Sequence, residues 1–167
     1  MPRHTDVEPV LIRPAEPPDV GTIGQLGELL VRTHHDFDPA RFIAPTSRTK
    51  DAYGSFLGSQ LGESHIVVLV AERDGEVVGY TYAGVEGRDY MSLRGPAGVL
   101  YDIVVDPAHR GRGIGRMLLD ATLKALESRG VTQVVLSTAE KNAVAQRLFE
   151  HAGFRRTMVE MTRELKD

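Results

Sequence analysis

A glycine-rich loop between residues 110 and 116 has the residue types and spacing of a phosphate-binding site. It follows an apolar run that ends in Val-Asp-Pro, and its residues are Arg110-Gly111-Arg112-Gly113-Ile114-Gly115-Arg116. Alternating glycines leave consecutive backbone N–H groups uncovered, and a helix that begins there adds its positive end. The three arginines add positive charge at the same place. The loop therefore predicts a site for a phosphate-bearing ligand.

The spacing of this loop excludes two common phosphate-binding motifs. A Walker loop requires Lys followed by Ser or Thr after its last glycine, whereas Arg116 and Met117 follow Gly115. A dinucleotide fingerprint built on Gly111 and Gly113 requires a third glycine at position 116 and an acidic residue about 20 residues further on. Arg116 occupies that position, and no acidic residue ends the next apolar strand.

Two segments together resemble a known family. The order Arg-x-x-Gly-x-Gly over residues 110–115 resembles the acetyl-CoA loop of the GNAT superfamily of N-acetyltransferases. The segment from Asn142 to Phe154 resembles that superfamily's pattern Asn-x-x-Ala…Leu-Tyr-Glu-x-x-Gly-Phe. The pair covers about residues 98–158, and at this separation it is specific. The resemblance implies transfer of an acetyl group from acetyl-CoA (CoA) directly to an amine.

The resemblance also implies how acetyl-CoA is held. Backbone groups of the strand before the loop would pair with the pantetheine arm, loop amides would hold the pyrophosphate, and Asn142 would contact or order the arm. Asn142 could equally be a simple helix N-cap, and His109 is expected to occupy a solvated turn. The expected cofactor-binding residues are Ile103, Val104, Val105, Arg110, Gly111, Arg112, Gly113, Ile114, Gly115, Arg116, Asn142 and Phe149.

An amine acceptor must lose a proton, because an alkylamine with a pKa near about 10.4 is almost fully protonated at neutral pH. Tyr101 and Asp102, on the strand before the loop, are the predicted catalytic residues. Tyr82, Glu86 and Asp89 are further candidates, and a chain of water molecules could replace a dedicated base. Tyr101 could instead be a core aromatic residue, and Asp102 a structural hydrogen-bond acceptor.

Phe149 departs from the resembled pattern, which has a tyrosine that donates a proton to the leaving thiolate. Phenylalanine has no such proton. A thiol with a pKa of about 8.5 is still a tolerable leaving group without an acid. We therefore expect reduced dependence on an acid rather than inactivity, with water or Tyr101 as substitutes.

The acceptor side is expected between the first two helices, by the same resemblance. There, acidic residues would attract a cationic amine and aromatic residues would form the wall, although the segment could simply fix a surface loop. The run His34-His35-Asp36-Phe37-Asp38 could be a metal or catalytic cluster, but substrate recognition is the preferred interpretation. A metal site is not predicted, because His-x-Asp in a loop supplies no countable set of three ligands. The predicted substrate-binding residues are His35, Asp36, Phe37, Tyr82 and Tyr90, with Phe42, Tyr53 and Asp38 as further candidates.

Composition limits the class of protein. The 167 residues include 20 Lys and Arg against 23 Asp and Glu, so the net charge of −3 favours neither nucleic acid nor an anionic membrane as partner. There is no cysteine, which excludes disulfides, thiolate metal sites and a cysteine acyl-enzyme. Apolar runs are too short for a signal core or a membrane span, so we expect a cytoplasmic protein.

The elements that position these residues are predicted in the order β-α-α-β-β-β-α-β-α-β. This is an α/β (α+β) fold, a GNAT-like mixed twisted sheet of about six strands flanked by four helices. Its first helix would run from Asp19 to about Thr33, a hairpin would turn at Asp74-Gly75, and a last strand would span Arg155 to Arg163. We expect a mobile N-terminus at residues 1–8 and a single acetyltransferase domain over residues 9–167.

Three functions remain open at this point. The first is acetylation of the primary amine of a small molecule or metabolite, and the second is acetylation of a protein N-terminus or lysine. An open groove between residues 34–45 and 86–98 would favour the protein acceptor, and a closed pocket the small one. The third is a non-catalytic acyl-CoA-binding module, which Phe149 suggests. The family resemblance also leaves a homodimer open, and the fold alone does not decide among these functions.

Overall fold

A computed structural model of the chain describes residues 9–165 and has one mixed β-sheet with helices on both faces. The sheet order is β1-β2-β3-β4-β5. The strands are β1 Leu11–Pro14, β2 Ile66–Arg73, β3 Glu76–Glu86, β4 Ala97–Val105 and β5 Val134–Leu136. The helices are α1 Val20–Phe37, α2 Thr49–Gln60, α3 Ile114–Glu127 and α4 Ala143–His151.

The β2–β3 hairpin confirms the predicted turn. Arg73 pairs with Glu76, so the connection has two residues, Asp74 and Gly75. Both have positive φ, 52° and 78°, which is the geometry that matches the twist of the flanking strands. This local signal sets the register of β2 and β3 next to the turn.

Strand β4 is where the sheet changes from antiparallel to parallel pairing. On the β3 side, Tyr82 pairs with Asp102 and Ala83 with Leu100, so Tyr101 is an extra residue that bulges the strand. On the other side, the parallel ladder with β5 ends at the Leu100–Leu136 pair. Beyond that pair β4 continues to Val105 without β5, and the sheet opens towards the glycine loop.

Two apolar layers enclose the sheet. Helices α1 and α2 cover one face with side chains that include Ile23, Leu26 and Leu57, which cluster with Val70 and Tyr80. Helix α3 and the short α4 cover the other face, and their contacts include Leu119, Leu126 and Phe149 with Val67 and Leu100. Burial of this apolar surface is the main favourable term in folding.

Glycines allow α1 and α2 to pack closely. A Cβ added at Gly24 would lie 2.4 Å from the carbonyl oxygen of Lys50, and one at Gly27 would lie 2.2 Å from the ring of Tyr53. Each helical glycine costs about 1 kcal/mol of helix propensity relative to alanine. The close packing explains why these residues, which weaken α1, are compatible with an 18-residue helix.

One predicted helix end and one predicted strand are wrong. Helix α1 continues past Thr33 to Phe37, so residues 34–37 are helical rather than loop. The last strand, predicted from Arg155 to Arg163, is absent among the described residues, which leaves five strands rather than about six. That segment is exposed throughout and packs neither of its faces on the core, so no apolar burial favours a strand there. Its contacts include ion pairs between Arg41 and Glu160 and between Arg156 and Glu150.

The predicted mobile N-terminus, residues 1–8, lies outside the described residues. From residue 9 to residue 165, the helices are all too short or too polar to cross a bilayer.

Candidate functional site

A cavity of about 260 Å³ lies where the sheet opens between β4 and β5. Strands β4 and β5, helices α1 and α4, and the segment after α1 all contribute to its wall. The lining residues are Leu30, Val31, His34, Phe42, Ile43, Leu100, Tyr101, Asp102, Ile103, Leu136, Ser137, Thr138, Asn142, Ala145 and Phe149.

Asp102 is the buried carboxylate of this cavity, with only 9% of its surface exposed. The hydroxyls of Tyr53 and Tyr80 donate hydrogen bonds to its Oδ2, at 2.6 and 3.0 Å. Burial raises the pKa of Asp102 above its usual value, while the two hydrogen bonds and the nearby charge of His34 oppose that rise. Burial and the carboxylate also raise the pKa values of both tyrosines, so their hydroxyls remain donors.

Tyr101 points its hydroxyl away from Asp102. It donates a 2.5 Å hydrogen bond to Oε2 of Glu86, whose other carboxylate oxygen accepts from Arg94 at 2.9 Å. Its ring lies against Tyr82, with 4.7 Å between ring centroids. Burial and the hydrogen bond to Glu86 raise the pKa of Tyr101. The side chain is therefore placed to donate a proton in a hydrogen bond, not to accept one.

His34 is a cavity residue that the sequence analysis did not select. Its Nδ1 lies 2.8 Å from the carbonyl oxygen of Leu30, and its ring packs edge-on against Phe42 with 5.1 Å between centroids. The neighbouring His35, which was selected, turns its Nδ1 to the carbonyl oxygen of Phe42. Extending the apolar periodicity of α1 by one turn would have placed His34 on the face of Leu30, four residues before it.

The glycine loop leads directly into α3. Gly111 and Gly113 have φ of 73° and 80°, and Gly113 is the N-cap of the helix. A Cβ at either residue would meet nothing within 4 Å, so backbone conformation, and not packing, requires glycine there. Among the described residues, the backbone N–H groups of 111–116 have no hydrogen-bond acceptor. This row of free donors is the local geometry that favours an anion.

The three loop arginines are not equivalent. Arg110 donates through Nε to the carbonyl oxygen of Val105 at 3.1 Å. Arg116 forms an ion pair with Asp120 at 2.9 Å and also donates to the carbonyl oxygen of His151. Arg112 is exposed and has no ion pair within residues 9–165. The hydrogen bond from Arg116 to His151 connects the start of α3 to the end of α4.

Helix α4 connects the loop to the cavity. Asn142 caps the helix, accepting from the backbone N–H of Ala145 at 3.1 Å, and also lines the cavity. Phe149 is buried against Phe154 and lines the same cavity. Asn142 is therefore a helix cap and a cavity residue at the same time, and its contact with the cofactor arm stays a prediction.

Several predicted site residues lie elsewhere. The side chains of Val104 and Ile114 are buried in the core, so only their backbone groups could contact a ligand. Asp89 accepts from the backbone N–H groups of Met91 and Ser92 and so shapes its own turn, and Tyr90 beside it is 73% exposed. None of the five predicted substrate-binding residues lines the cavity, although Phe42, a further candidate, does.

Known proteins match much of the chain. The model of the acetyltransferase (GNAT) family matches residues 30–154. A mycothiol acetyltransferase from Thermobispora bispora is 44% identical over 97 residues, which cover 56% of this chain and 31% of that protein. The ribosomal protein bS18-alanine N-acetyltransferase of Salmonella typhimurium is 34% identical over 90 residues, 44% of this chain and 61% of that protein. The match therefore spans about a third of the first relative's length.

Solved structures share the fold over almost the whole chain. A mutant of the BH1408 protein from Bacillus halodurans superposes with a TM-score of 0.82 at 19% identity, covering 93% of this chain and 99% of that one. The aminoglycoside N-acetyltransferase AAC(6')-Iy, solved in complex with CoA, has a TM-score of 0.71 at 22% identity and covers 99% of both chains. At these identities the likeness shows the fold.

Proposed function

Because the chain belongs to the acetyltransferase (GNAT) family, we propose that it transfers an acetyl group from acetyl-CoA to the primary amine of a small molecule. The observation that carries the proposal is the continuity of three features. The cavity lies at the open end of the β4–β5 ladder, β4 leads from it to the glycine loop, and α4 contacts both.

The residues present fit acetyl-CoA. The free N–H groups of 111–116 suit its phosphates, and the positive end of α3 adds to their field. Beyond Leu100, the side of β4 that faced β5 has no ladder partner among the described strands, so it can pair with an extended arm of a ligand. When bound, acetyl-CoA supplies an activated acetyl thioester.

The chain's own contribution is then mainly orientation. An acceptor held in the cavity and a thioester held along β4 meet near residues 101–103, and such proximity supplies much of a transfer rate. A backbone N–H at this position could stabilise the developing oxyanion. Asp102, aimed into the cavity, is suited to attract a cationic amine before it reacts.

Cavity size supports a small acceptor. The volume of about 260 Å³ is below that of a typical drug-sized pocket. Phe42 and Ile43, in the segment after α1, line one side of the cavity, and an ion pair between Arg41 and Glu160 connects that segment to residues 155–165. A protein N-terminus is the second candidate, supported by the relative that acetylates the alanine of ribosomal protein bS18. A non-catalytic acyl-CoA-binding module is the third candidate, because Phe149 has no hydroxyl proton to donate to the leaving thiolate.

Calorimetric titration with acetyl-CoA and CoA, followed by thiol release against a panel of small amines and peptides, tests the proposal. Binding with release on a small amine supports it, whereas release only with peptides selects the protein acceptor. Binding without release on any amine selects the acyl-CoA-binding module. No binding of either nucleotide overturns the assignment of the glycine loop.

A further inference from the structure

The ring of His34 is fixed in one tautomer by its surroundings. Nδ1 lies 2.8 Å from the carbonyl oxygen of Leu30, and a carbonyl oxygen only accepts, so Nδ1 carries the proton. In the neutral ring the lone pair is then on Nε2. Phe37 and Phe42 pack edge-on against the imidazole and hold its plane.

His34 also has the right neighbours for proton transfer. It lines the same cavity as Asp102, and a charge on the imidazole opposes the rise that burial causes in the pKa of that carboxylate. A carboxylate in the same cavity stabilises the imidazolium formed when the ring takes up a proton. His34 is half-buried, so the attraction between an imidazolium and a carboxylate in this cavity is stronger than in bulk water.

The other candidate bases are less suited. Tyr101 donates its own proton to Glu86. Glu86 accepts from both Tyr101 and Arg94, which satisfies both of its oxygens outside the cavity. Two tyrosine hydroxyls hold Asp102 in place through its Oδ2, so we assign this carboxylate the role of a fixed charge in the same cavity as His34.

We infer that Nε2 of His34 takes the proton of the acceptor amine during transfer, a role that rests on the proposed function. The cationic amine first loses one proton to water. The lone pair of the neutral amine then forms the bond to the acetyl carbon, and one N–H proton of that nitrogen passes to Nε2. The C–S bond breaks, and its electron pair leaves on the sulfur of CoA. The proton on Nε2 then passes to the thiolate, so the products are the acetylated amine and the thiol of CoA.

The test uses three variants of the full chain. His34→Asn keeps a side-chain N–H for the carbonyl of Leu30 but removes the proton acceptor. His34→Ala leaves space for added imidazole. His65→Asn, the same substitution at an exposed residue before β2, is the control. Thiol release is measured with an amine that the wild-type protein acetylates, and acetyl-CoA affinity is measured on each variant.

We expect kcat to fall by about 100- to 10,000-fold in His34→Asn, the range of general-base catalysis, with acetyl-CoA affinity unchanged. Imidazole should restore part of the activity of His34→Ala in proportion to its concentration, and His65→Asn should match the wild type. A kcat for His34→Asn within threefold of wild type overturns the role of His34. So does a loss in His34→Ala that imidazole does not restore, because lost packing would then explain it. Absence of turnover by the wild type on every amine overturns the proposed function, and the role of His34 with it.

Discussion

The hydroxyl of Tyr53 donates a 2.6 Å hydrogen bond to Oδ2 of Asp102, which ties α2 to the middle of β4. No residue of α2 lines the cavity among the described residues. The orientation of the buried carboxylate thus depends on a helix that a ligand in the cavity would not touch. Substitutions on α2 can therefore change the site without changing its wall.

Removal of this hydroxyl in Tyr53→Phe should lower the free energy of unfolding by about 1–2 kcal/mol, because it leaves a buried carboxylate short of one donor. Urea unfolding measures the loss. Tyr82→Phe is the matched control, since the hydroxyl of Tyr82 has only a 3.5 Å contact to Gln60. Equal losses in the two variants would show that the bond to Asp102 contributes nothing specific.

Asp102→Asn should change how stability depends on pH. Burial raises the pKa of Asp102 in the folded state, so between the unfolded and folded pKa values the folded state binds more protons than the unfolded state. The carboxylate therefore contributes instability that is fully present above the folded pKa and is relieved as pH falls through it. The amide oxygen of asparagine can still accept from Tyr53 and Tyr80.

The unfolding free energy of Asp102→Asn minus that of the wild type should thus be larger at pH 7.5 than at pH 4.5. The measurement is the difference in unfolding free energy between the two proteins at each pH. The contributions of the other carboxylates largely cancel in this difference. A difference that grows towards low pH would have the opposite sign and would contradict a raised pKa for Asp102.

Gly27→Ala should destabilise the protein although alanine favours helices. The new Cβ would lie 2.2 Å from the ring of Tyr53, and such overpacking costs about 1–3 kcal/mol. Gly21→Ala, in the same helix with nothing within 4 Å, should instead gain about 1 kcal/mol. Thermal unfolding of the two variants measures whether each is less or more stable than the wild type. Two stabilised variants would mean that α1 and α2 are not in close contact.

Gly113→Asp should weaken acetyl-CoA binding by at least about tenfold, because it places a carboxylate beside the phosphates that we assign to the loop. Gly130→Asp is a control matched in strain and charge. Its glycine has φ of 84° against 80° for Gly113, and a Cβ at either position meets nothing within 4 Å. Both variants should lose about 1 kcal/mol by adopting positive φ, and Gly130→Asp should lose somewhat more because its carboxylate lies near the negative end of α3. Calorimetry that finds equal affinity in the two would place the phosphates elsewhere.

Features encoded by neighbouring residues could be predicted from the sequence. The Asp74-Gly75 turn and the helix start at Gly113 both have their signal within a few residues, and the structure has both. Asn142 likewise caps α4 as its residue type indicates. The β-branched runs on either side of the turn were sufficient to predict β2 and β3, and each of these strands has a partner on both sides.

Features that depend on distant contacts could not be predicted in this way. Tyr53 and Asp102 are 49 residues apart, and nothing local indicates that they meet. His34 was not selected because α1 was predicted to end at about Thr33, one residue before it, whereas the helix continues to Phe37. The last strand was overpredicted because the local sequence does not show that residues 155–163 lack a neighbouring strand.

Exposed methionines allow the C-terminal residues 155–165 and the loop between β3 and β4 to be labelled by oxidation. Met158 and Met161 are 72% and 90% exposed, and Met91, in the loop after β3, is 91% exposed. Conversion of thioethers to sulfoxides follows exposure, so mild peroxide should modify these three before the half-covered Met117 on α3. Since none of the three packs in the core, their oxidation leaves the fold intact. Mass spectrometry of the oxidised peptides can thus report what covers the tail and the β3–β4 loop in solution.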